Sequence, residues 1–201
     1  VNFIFFIFYE IVLWIIAFFT IPKMLYAFFV HKKYRESLLP RFSFHFPITE
    51  PLSHSSIWIH AVSVGETKAV VSLARALKQR FPDHPLIISS VTETGHAEAK
   101  RSLPFVDYHV YFPLDFACYR VIKKASPGLV ILCESDFWYN FLSYSKKNGA
   151  SVALVNGKMS EKSMRRFCLA PFFSKRLFDL IDVLCLQNNL YRERFLAQLG
   201  A

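Results

Sequence analysis

The sequence lacks the motifs that most often identify a nucleotide, zinc or disulfide protein. It contains neither GxGxxG nor GxxxxGK[ST], so nothing supports a dinucleotide-binding or P-loop protein. The cysteines have no CxxC spacing and the histidines no metal-ligand spacing, which argues against a zinc site and a disulfide framework. We expect buried cytosolic thiols at every cysteine: Cys118, Cys133, Cys168 and Cys185.

Acidic residues are scarce relative to basic ones. The chain has 24 Lys and Arg against 15 Asp and Glu, a net charge of +9. This balance predicts an acidic partner, which can be anionic lipid, nucleic acid or a phosphorylated substrate. Hydrophobic residues make up 53% of the 201 residues and include 22 Phe, with the excess at the N-terminus. The length allows one full domain and an extra segment.

The apolar N-terminal run from Phe3 to Ile21 is broken only by Glu10, and its length suits a bilayer span. We predict a membrane anchor over residues 1–30. Glu10 favours the main alternative, an interfacial helix. A cleaved signal peptide is disfavoured by the missing basic n-region, and a core helix by aromatic residues all round. Basic residues after the run place the following chain in the cytoplasm: Lys23, Lys32, Lys33 and Arg35.

Residues 31–56, with prolines at 47 and 51, are predicted to be a linker. Beyond it, residues 57–201 alternate apolar strands with amphipathic helices, the spacing of βαβ units. The fold class is therefore α/β, a Rossmann-like parallel sheet with flanking helices. The predicted strands are Ile57–Val62, Leu86–Val91, Tyr108–Phe112, Leu129–Cys133, Ser151–Val155 and Val183–Leu186.

The first strand organises the candidate site. Ile57–Val62 is followed by a turn at Ser63–Gly65, and Glu66 is predicted to open a helix. The apolar positions of that helix are Ala69, Val70, Leu73, Leu77 and Phe81. A carboxylate is thus placed where a strand's carboxyl end meets a helix N-terminus, the position at which open α/β sheets bind ligands.

Polar residues after the other strands join Glu66 at the same edge of the predicted sheet. Each alone is readily explained as an ordinary loop or N-cap residue. Together they suggest a site, because neighbouring carboxylates raise each other's pKa and so suit general-base catalysis. The set is Ser63, Gly65, Glu66, Thr94, Gly95, Asp115, Glu134, Ser135, Asp136, Asn156, Gly157, Lys158 and Ser160.

Two further features have competing interpretations. His60 lies within the first strand, and we expect a hydrogen-bonded core histidine rather than a ligand. The basic run from Lys158 to Arg166 fits either a solvated helix face or a cradle for phosphates, since it begins directly after a strand.

Motifs in this order resemble the Kdo (3-deoxy-D-manno-octulosonic acid) transferases of lipopolysaccharide assembly, with a chlamydia-like character. They are His60-Ala-Val-Ser-Val-Gly-Glu66, Thr92-Glu-Thr-Gly95, Glu134-Ser-Asp-Phe-Trp-Tyr-Asn140, Asn156-Gly-Lys-Met-Ser160 and the pair Gln187-Asn188. The similarity covers about Ile57 to Gly200. It implies the N-terminal, acceptor-binding domain of a GT-B glycosyltransferase on the cytoplasmic face of the bacterial inner membrane. The C-terminal domain, which would bind CMP-Kdo, is absent, so this fragment alone is expected to be inactive.

The resemblance also implies the mechanism. Glu66 matches the catalytic glutamate, which deprotonates a sugar hydroxyl of the lipid A precursor (lipid IVA) in an inverting transfer. Glu134 would stabilise or orient the transition state, with neither cofactor nor metal, and membrane lipids but no nucleic acid as partners. Implied substrate-binding residues are Ser63, Gly65, Thr94, Gly95, Asp136, Asn156, Lys158 and Ser160.

The sequence departs from the commoner family pattern at Asp136, Tyr139 and Gly157-Lys158. Lys158 keeps a positive charge but lacks the fork of an arginine, which leaves its role open. Alternatives from other classes are a non-catalytic membrane module that binds anionic lipid and a GT-B transferase of different sugar specificity.

Overall fold

The computed structural model describes residues 3–32, 34–44 and 46–199. Residues 1–2 of the predicted anchor, 33 and 45 of the predicted linker, and 200–201 of the predicted domain lie outside these ranges. The helices are α1 (Phe3–Phe29), α2 (Leu38–Arg41), α3 (Val64–Arg80), α4 (Glu93–Ser102), α5 (Cys118–Ala125), α6 (Tyr139–Lys147), α7 (Glu161–Cys168), α8 (Pro171–Phe178) and α9 (Asn189–Leu199). The strands are β1 (Ser56–His60), β2 (Leu86–Ser90), β3 (Tyr108–Tyr111), β4 (Pro127–Cys133), β5 (Ser151–Gly157) and β6 (Val183–Leu186).

The strands form one parallel sheet in the order β3-β2-β1-β4-β5-β6 across the described residues. This confirms the predicted Rossmann-like α/β fold. Ile59, in the centre of β1, pairs with Ile88 on one side and Ile131 on the other. The strand order reverses between β1 and β4, so the connections leaving these strands diverge and open a crevice at their carboxyl ends. Glu66 and Glu134 follow these two strands.

The central strands β1 and β2 are buried on both faces. Alternate residues of β1 point to opposite sides: Ile57 and Ile59 pack with Val70 of α3, whereas Trp58 packs in the cluster that contains Phe141 of α6. A strand covered on both faces reads as a continuous apolar run, which is why β1 could be predicted from sequence.

Element boundaries differ from prediction around the site. Helix α3 begins at Val64, before Glu66, because the Ser63 side chain caps it. Strand β5 continues to Gly157, so Asn156 lies in the strand rather than after it. Phe81, expected on the buried face of α3, is exposed.

The expectation that every cysteine is buried is wrong for part of the set. Cys118 and Cys133 are buried, but Cys168 and Cys185 are exposed. Cys168 ends the polar helix α7, and Cys185 lies on β6, which pairs only with β5 within the described sheet.

The predicted linker packs against the domain instead of running free. It contains helix α2, and its side chains Leu38, Phe46 and Ile48 are buried. The backbone N–H of Leu52 also donates to the carbonyl of Lys124. Apolar residues spaced among prolines therefore hold this segment on the core.

Helix α1 forms over nearly all of the predicted anchor. By length and composition, Phe5–Phe29 is long and apolar enough to cross a membrane. Pro22 lies inside the helix.

Candidate functional site

The turn between β1 and α3 holds the Glu66 carboxylate in a fixed position. Ser63 is the N-cap of α3, and its Oγ accepts the backbone N–H of Glu66 at 3.4 Å. In return, the Glu66 carboxylate accepts the Val62 N–H at 2.9 Å and the Ser63 hydroxyl at 3.1 Å. This reciprocal cap resembles a capping box. Each carboxylate oxygen has a further lone pair, so the cap leaves room for a substrate hydroxyl.

The environment of Glu66 makes it a stronger base than an ordinary glutamate. Partial burial raises its pKa, and the nearby negative charge of Glu134 raises it further. The hydrogen bonds from Val62 and Ser63 and the charge of His60 oppose this, yet the net pKa lies above the usual range. A raised pKa brings a carboxylate closer to the value suited to accepting a proton near neutral pH.

Glu134 lies beside Glu66 at the end of β4. The Cys133 Sγ is 3.8 Å from the Glu66 carbonyl oxygen, which joins the end of β4 to the first turn of α3. Glu134 has a left-handed backbone (φ 68°), and its N–H donates to the Val155 carbonyl at 3.0 Å. Its carboxylate forms an ion pair with Lys158, whose own N–H donates to the Glu134 carbonyl at 3.2 Å. The hydrogen bond to Glu134 raises the pKa of Lys158.

The turn that opens α4 packs directly against the Glu66 loop. Thr92 caps α4, and its hydroxyl donates to the Val62 carbonyl at 3.1 Å. A Cβ at Gly95 would lie 2.8 Å from the same carbonyl oxygen and 3.3 Å from the Ser63 carbonyl carbon. Glycine is therefore required for this close approach. Thr94 is exposed at the edge of the group.

Asp136 takes part in a buried hydrogen-bond chain. Its Oδ2 is 3.0 Å from His60 Nε2 and accepts the Trp138 indole N–H at 2.7 Å. His60 Nδ1 is 2.9 Å from Ser89 Oγ, which also accepts the Trp58 indole N–H at 2.8 Å. Because a carboxylate only accepts, His60 Nε2 carries a proton, and the contacts of both ring nitrogens confirm the expected hydrogen-bonded core histidine. Burial raises the pKa of Asp136, but the hydrogen bonds from His60 and Trp138 outweigh it, so the net pKa is lowered.

Two predicted site residues make local contacts at the end of β5. Asn156 has a left-handed backbone (φ 52°), and its side-chain oxygen accepts from Gln187 Nε2 at 3.0 Å. Ser160 caps α7 by accepting the Ser163 N–H at 3.1 Å. Asn156 thus adjoins the Lys158 backbone, whereas Ser160 begins the basic helix α7.

Asp115 does not join the Glu66 group. It is buried and caps α6 by accepting the N–H groups of Asn140 at 3.0 Å and Phe141 at 2.9 Å. The expectation that Asp115 belongs to the site is therefore wrong. Ser135 is exposed next to Glu134.

Arg41 is a candidate that the sequence interpretation missed, because it lies in the predicted linker. Its Nε is buried and has no hydrogen-bond partner in the part of the chain that the structure describes. Burial lowers the pKa of Arg41, and its charge is close enough to help lower the pKa of Asp136. The sequence signal that could have identified Arg41 is a charged residue inside the apolar stretch Leu38–Phe42. An unpaired guanidinium donor here can bind an anionic group.

Within the described ranges, no group of three or more His, Cys, Asp or Glu side chains is placed to hold a metal ion. Glu66, Glu134 and Lys158 form a compact set of two carboxylates and a cation. The fold and this set define a parallel α/β domain with a charged cluster at the switch point of its sheet.

Comparison with known proteins identifies the family. The sequence model described as "3-Deoxy-D-manno-octulosonic-acid transferase (kdotransferase)" matches residues 36–201, and the chain belongs to this family. Proteins named 3-deoxy-D-manno-octulosonic acid transferase are similar to it. The relative from Chlamydophila psittaci is 36% identical over 90% of this chain, and that from Chlamydia trachomatis serovar D is 35% identical over 92%. A relative of the same name from Haemophilus influenzae is 29% identical over 84% of the chain.

The chain spans less than half the length of these relatives: 42% of the Chlamydophila psittaci protein, 43% of the Chlamydia trachomatis protein and 39% of the Haemophilus influenzae protein. The family and its chlamydia-like character, which the motifs predicted, are thereby confirmed.

Proposed function

We propose that the protein containing this chain transfers Kdo from CMP-Kdo to a lipid A precursor, lipid IVA, with inversion at the anomeric carbon. The observation that carries this proposal is the Glu66 carboxylate, which is held at the end of β1 with a raised pKa beside the Glu134–Lys158 pair. Membership of the Kdo transferase family supports the choice of sugar.

Glu66 is the general base in this proposal. A hydroxyl of the acceptor sugar donates to the Glu66 carboxylate, which takes the proton as the oxygen attacks the anomeric carbon of Kdo. The bond between that carbon and the CMP phosphate oxygen breaks, and CMP leaves with the electron pair. A positioned base contributes ~10²–10⁴ in rate. Charge on a phosphate monoester leaving group can be stabilised by basic residues and helix N-termini, so the proposal needs neither metal nor cofactor.

The remaining predicted residues would position the acceptor. Gly65 precedes Glu66, and Thr94 lies in the first turn of α4, beside Thr92 (Oγ1–Oγ1 3.4 Å); both are exposed and can face a sugar. Lys158 neutralises Glu134 and lies close enough to interact with Glu66, so it can orient either the acceptor or the carboxylates. The proposed substrate-binding residues are Ser63, Gly65, Thr94, Gly95, Asp136, Asn156, Lys158 and Ser160.

We infer a GT-B architecture in which this domain supplies the acceptor side and a second domain supplies the CMP-Kdo site. The proposal is supported by the Rossmann-like sheet and by the 42% share of the Chlamydophila psittaci relative that the chain spans. The apolar α1 and the net charge of +9 support attachment to the cytoplasmic face of the bacterial inner membrane.

The direct test is a transfer assay on the full-length protein that contains this chain. Purified protein is mixed with lipid IVA and CMP-Kdo, and the acceptor mass is followed by mass spectrometry. We expect addition of Kdo units and release of CMP. Transfer only from another nucleotide sugar would identify a GT-B enzyme of different specificity. Tight binding of lipid IVA with no transfer from any donor would identify the non-catalytic module.

A further inference from the structure

The N-terminal half of α1 is tied to the domain by polar contacts. The Tyr9 hydroxyl donates to Asp115 Oδ2 at 2.7 Å, and the Asn140 amide donates to Glu10 Oε1 at 2.6 Å. Asp115 and Asn140 are buried, at the N-terminal end of α6. Glu10, the charged residue that interrupts the apolar run, therefore faces protein rather than lipid.

Aromatic contacts continue this docking along the helix. Phe5 is buried, with its ring 5.2 Å from Tyr139 and 5.6 Å from Phe172. Further along, the Trp14 ring stacks on Phe116 at 5.1 Å. Ala17 is also buried. The first four turns of α1 thus form part of the domain surface.

The length of helix beyond these contacts is too short to cross a bilayer. At ~1.5 Å per residue, the segment from Phe18 to Phe29 extends ~18 Å. The hydrocarbon core of a bilayer is ~30 Å thick. To span it, α1 would have to give up the hydrogen bonds of Tyr9 and Glu10 and leave the buried Asp115 and Asn140 without these partners.

The exposed side chains of α1 are mostly apolar, with Thr20 and Lys23 as the polar exceptions. Phe8 is 64% exposed, and the neighbouring link between α7 and α8 adds Leu169 at 86% and Phe172 at 59%. Other exposed apolar residues of α1 are Ile7, Ile11, Trp14, Ile15, Ile16, Phe18, Phe19, Leu25, Tyr26 and Phe29. A continuous apolar surface of this kind marks a membrane or protein interaction site.

Basic side chains border this surface and indicate which partner it fits. The Arg176 guanidinium lies 4.1 Å from the centre of the Phe172 ring, and the Lys147 ammonium lies 5.4 Å from the Phe6 ring. Cations beside an aromatic and aliphatic face are typical of helices that lie in the interface of anionic membranes. An apolar groove of about 670 Å³ between α1 and α8 is lined by Phe8, Val12, Pro171 and Phe173, among others.

We propose that α1 is an in-plane membrane anchor whose outward face enters one leaflet together with the α7–α8 link. This inference deepens the membrane attachment in the proposed function and rests on it, but not on the identity of the transferred sugar.

Fluorescence depth measurement tests this geometry on the full-length protein in anionic phospholipid vesicles. Cys168 and Cys185 are replaced by Ser, and the buried Cys118 and Cys133 are kept. One exposed cysteine carrying an NBD probe is then placed at Ile7, Phe18 or Leu25, which lie along one line of the helix. Quenching by lipids with nitroxides at different acyl positions gives each depth. An in-plane helix places all three probes at one shallow depth, ~5–10 Å into the acyl boundary. A spanning helix separates Ile7→Cys from Leu25→Cys by ~27 Å and overturns the proposal.

Matched positions complete the test. Leu169→Cys should be quenched at the same depth as Ile7→Cys, and Asp83→Cys, in an exposed loop after α3, should not be quenched. An unquenched Leu169→Cys would overturn the proposal. The double variant Tyr9→Phe, Glu10→Ala removes the polar contacts between α1 and the domain. It should change the depth of the probe at Ile7→Cys relative to the probe at Leu169→Cys. An unchanged depth would show that these contacts do not orient α1. Transfer is assayed separately, so an inactive protein with equal probe depths would refute the proposed function alone.

Discussion

Glu134 and Lys158 form an ion pair across the carboxyl ends of β4 and β5. The pair is next to Glu66, and the Glu134 charge is among the causes that raise the pKa of Glu66. Lys158 therefore sets how much of that charge Glu66 experiences. We propose an electrostatic role for this position, whose role the departure from the family pattern left open.

Removing the lysine should shift the pH dependence of activity. In Lys158→Met, the uncompensated Glu134 charge raises the pKa of Glu66 further, so deprotonation requires a higher pH. The acidic limb of kcat/KM should then move to higher pH, while Lys158→Arg and the exposed control Lys100→Met leave it near the wild-type position. Because the Lys158 side chain is 42% exposed, stability should change by no more than ~1 kcal/mol. An acidic limb that stays in place in Lys158→Met would contradict this role.

We expect Asp136 to stabilise the folded protein by accepting hydrogen bonds from His60 and Trp138. Asp136→Ala leaves the buried His60 Nε2–H and the Trp138 indole N–H without their acceptor, at a cost of ~1–3 kcal/mol for each unsatisfied group. Urea unfolding of the full-length protein measures this loss, with the exposed neighbour Ser135→Ala as control. A Cm equal to that of Ser135→Ala would show that water replaces the acceptor.

The lowered pKa of Asp136 also fixes the sign of its pH effect. The ionised carboxylate is favoured in the folded state, so its contribution is present above the unfolded pKa and is lost as pH falls through the lowered folded pKa. Asp136→Asn should therefore flatten the acid limb of the stability curve.

Gly65 and Gly95, the two glycines near Glu66, should respond differently to substitution by alanine. Gly95→Ala places a Cβ 2.8 Å from the Val62 carbonyl oxygen, so the loop that carries Glu66 has to shift. We expect a loss of ~1–3 kcal/mol, seen as a lower Tm. A Cβ at Gly65 meets only Ser63 Oγ at 4.0 Å, so Gly65→Ala should fold with unchanged or higher stability. Any loss of transfer in Gly65→Ala then reports contact with substrate, and equal Tm changes in both variants would contradict the packing described for Gly95.

Arg41 is expected to bind an anionic group of the acceptor. Its buried Nε has no partner among the described residues, and hydrogen bonds to charged groups contribute ~1.5–3 kcal/mol. Arg41→Gln should therefore raise the KM for phosphorylated lipid IVA about tenfold or more, by the usual relation between free energy and affinity. The KM for a dephosphorylated acceptor should change little. An equal rise for both acceptors would indicate a structural role instead.

The sheet was predictable because its strands appear as short apolar, β-branched runs, and the central strands β1 and β2 are buried on both faces. β6 was predicted with its exact limits, and the other strands to within a few residues. Glu66 could be located because it follows such a strand and precedes an amphipathic helix. The sequence could not reveal the reciprocal cap between Glu66 and Ser63, because a glutamate three residues after a serine is compatible with both helix capping and catalysis.

The contacts that sequence could not predict join distant parts of the chain. Glu10 meets Asn140, and no local pattern specifies that pair. The prolines around Phe46 and Ile48 indicated a linker, although both apolar side chains are buried against the core. Arg41 was missed for the same reason, because its neighbours Leu38 and Phe42 were assigned to an unstructured segment.

The most direct test of the account is Glu66→Gln in the full-length protein. The glutamine oxygen can still accept the Val62 N–H, and its NH2 can donate to Ser63 Oγ in a bond of reversed direction, but the amide cannot take a proton from the sugar. The account predicts a kcat lower by ~10²–10⁴ with the KM for lipid IVA and the Tm nearly unchanged, while the exposed control Glu193→Gln behaves as wild type. Wild-type turnover by Glu66→Gln would contradict general-base catalysis and leave Glu66 as a helix cap alone.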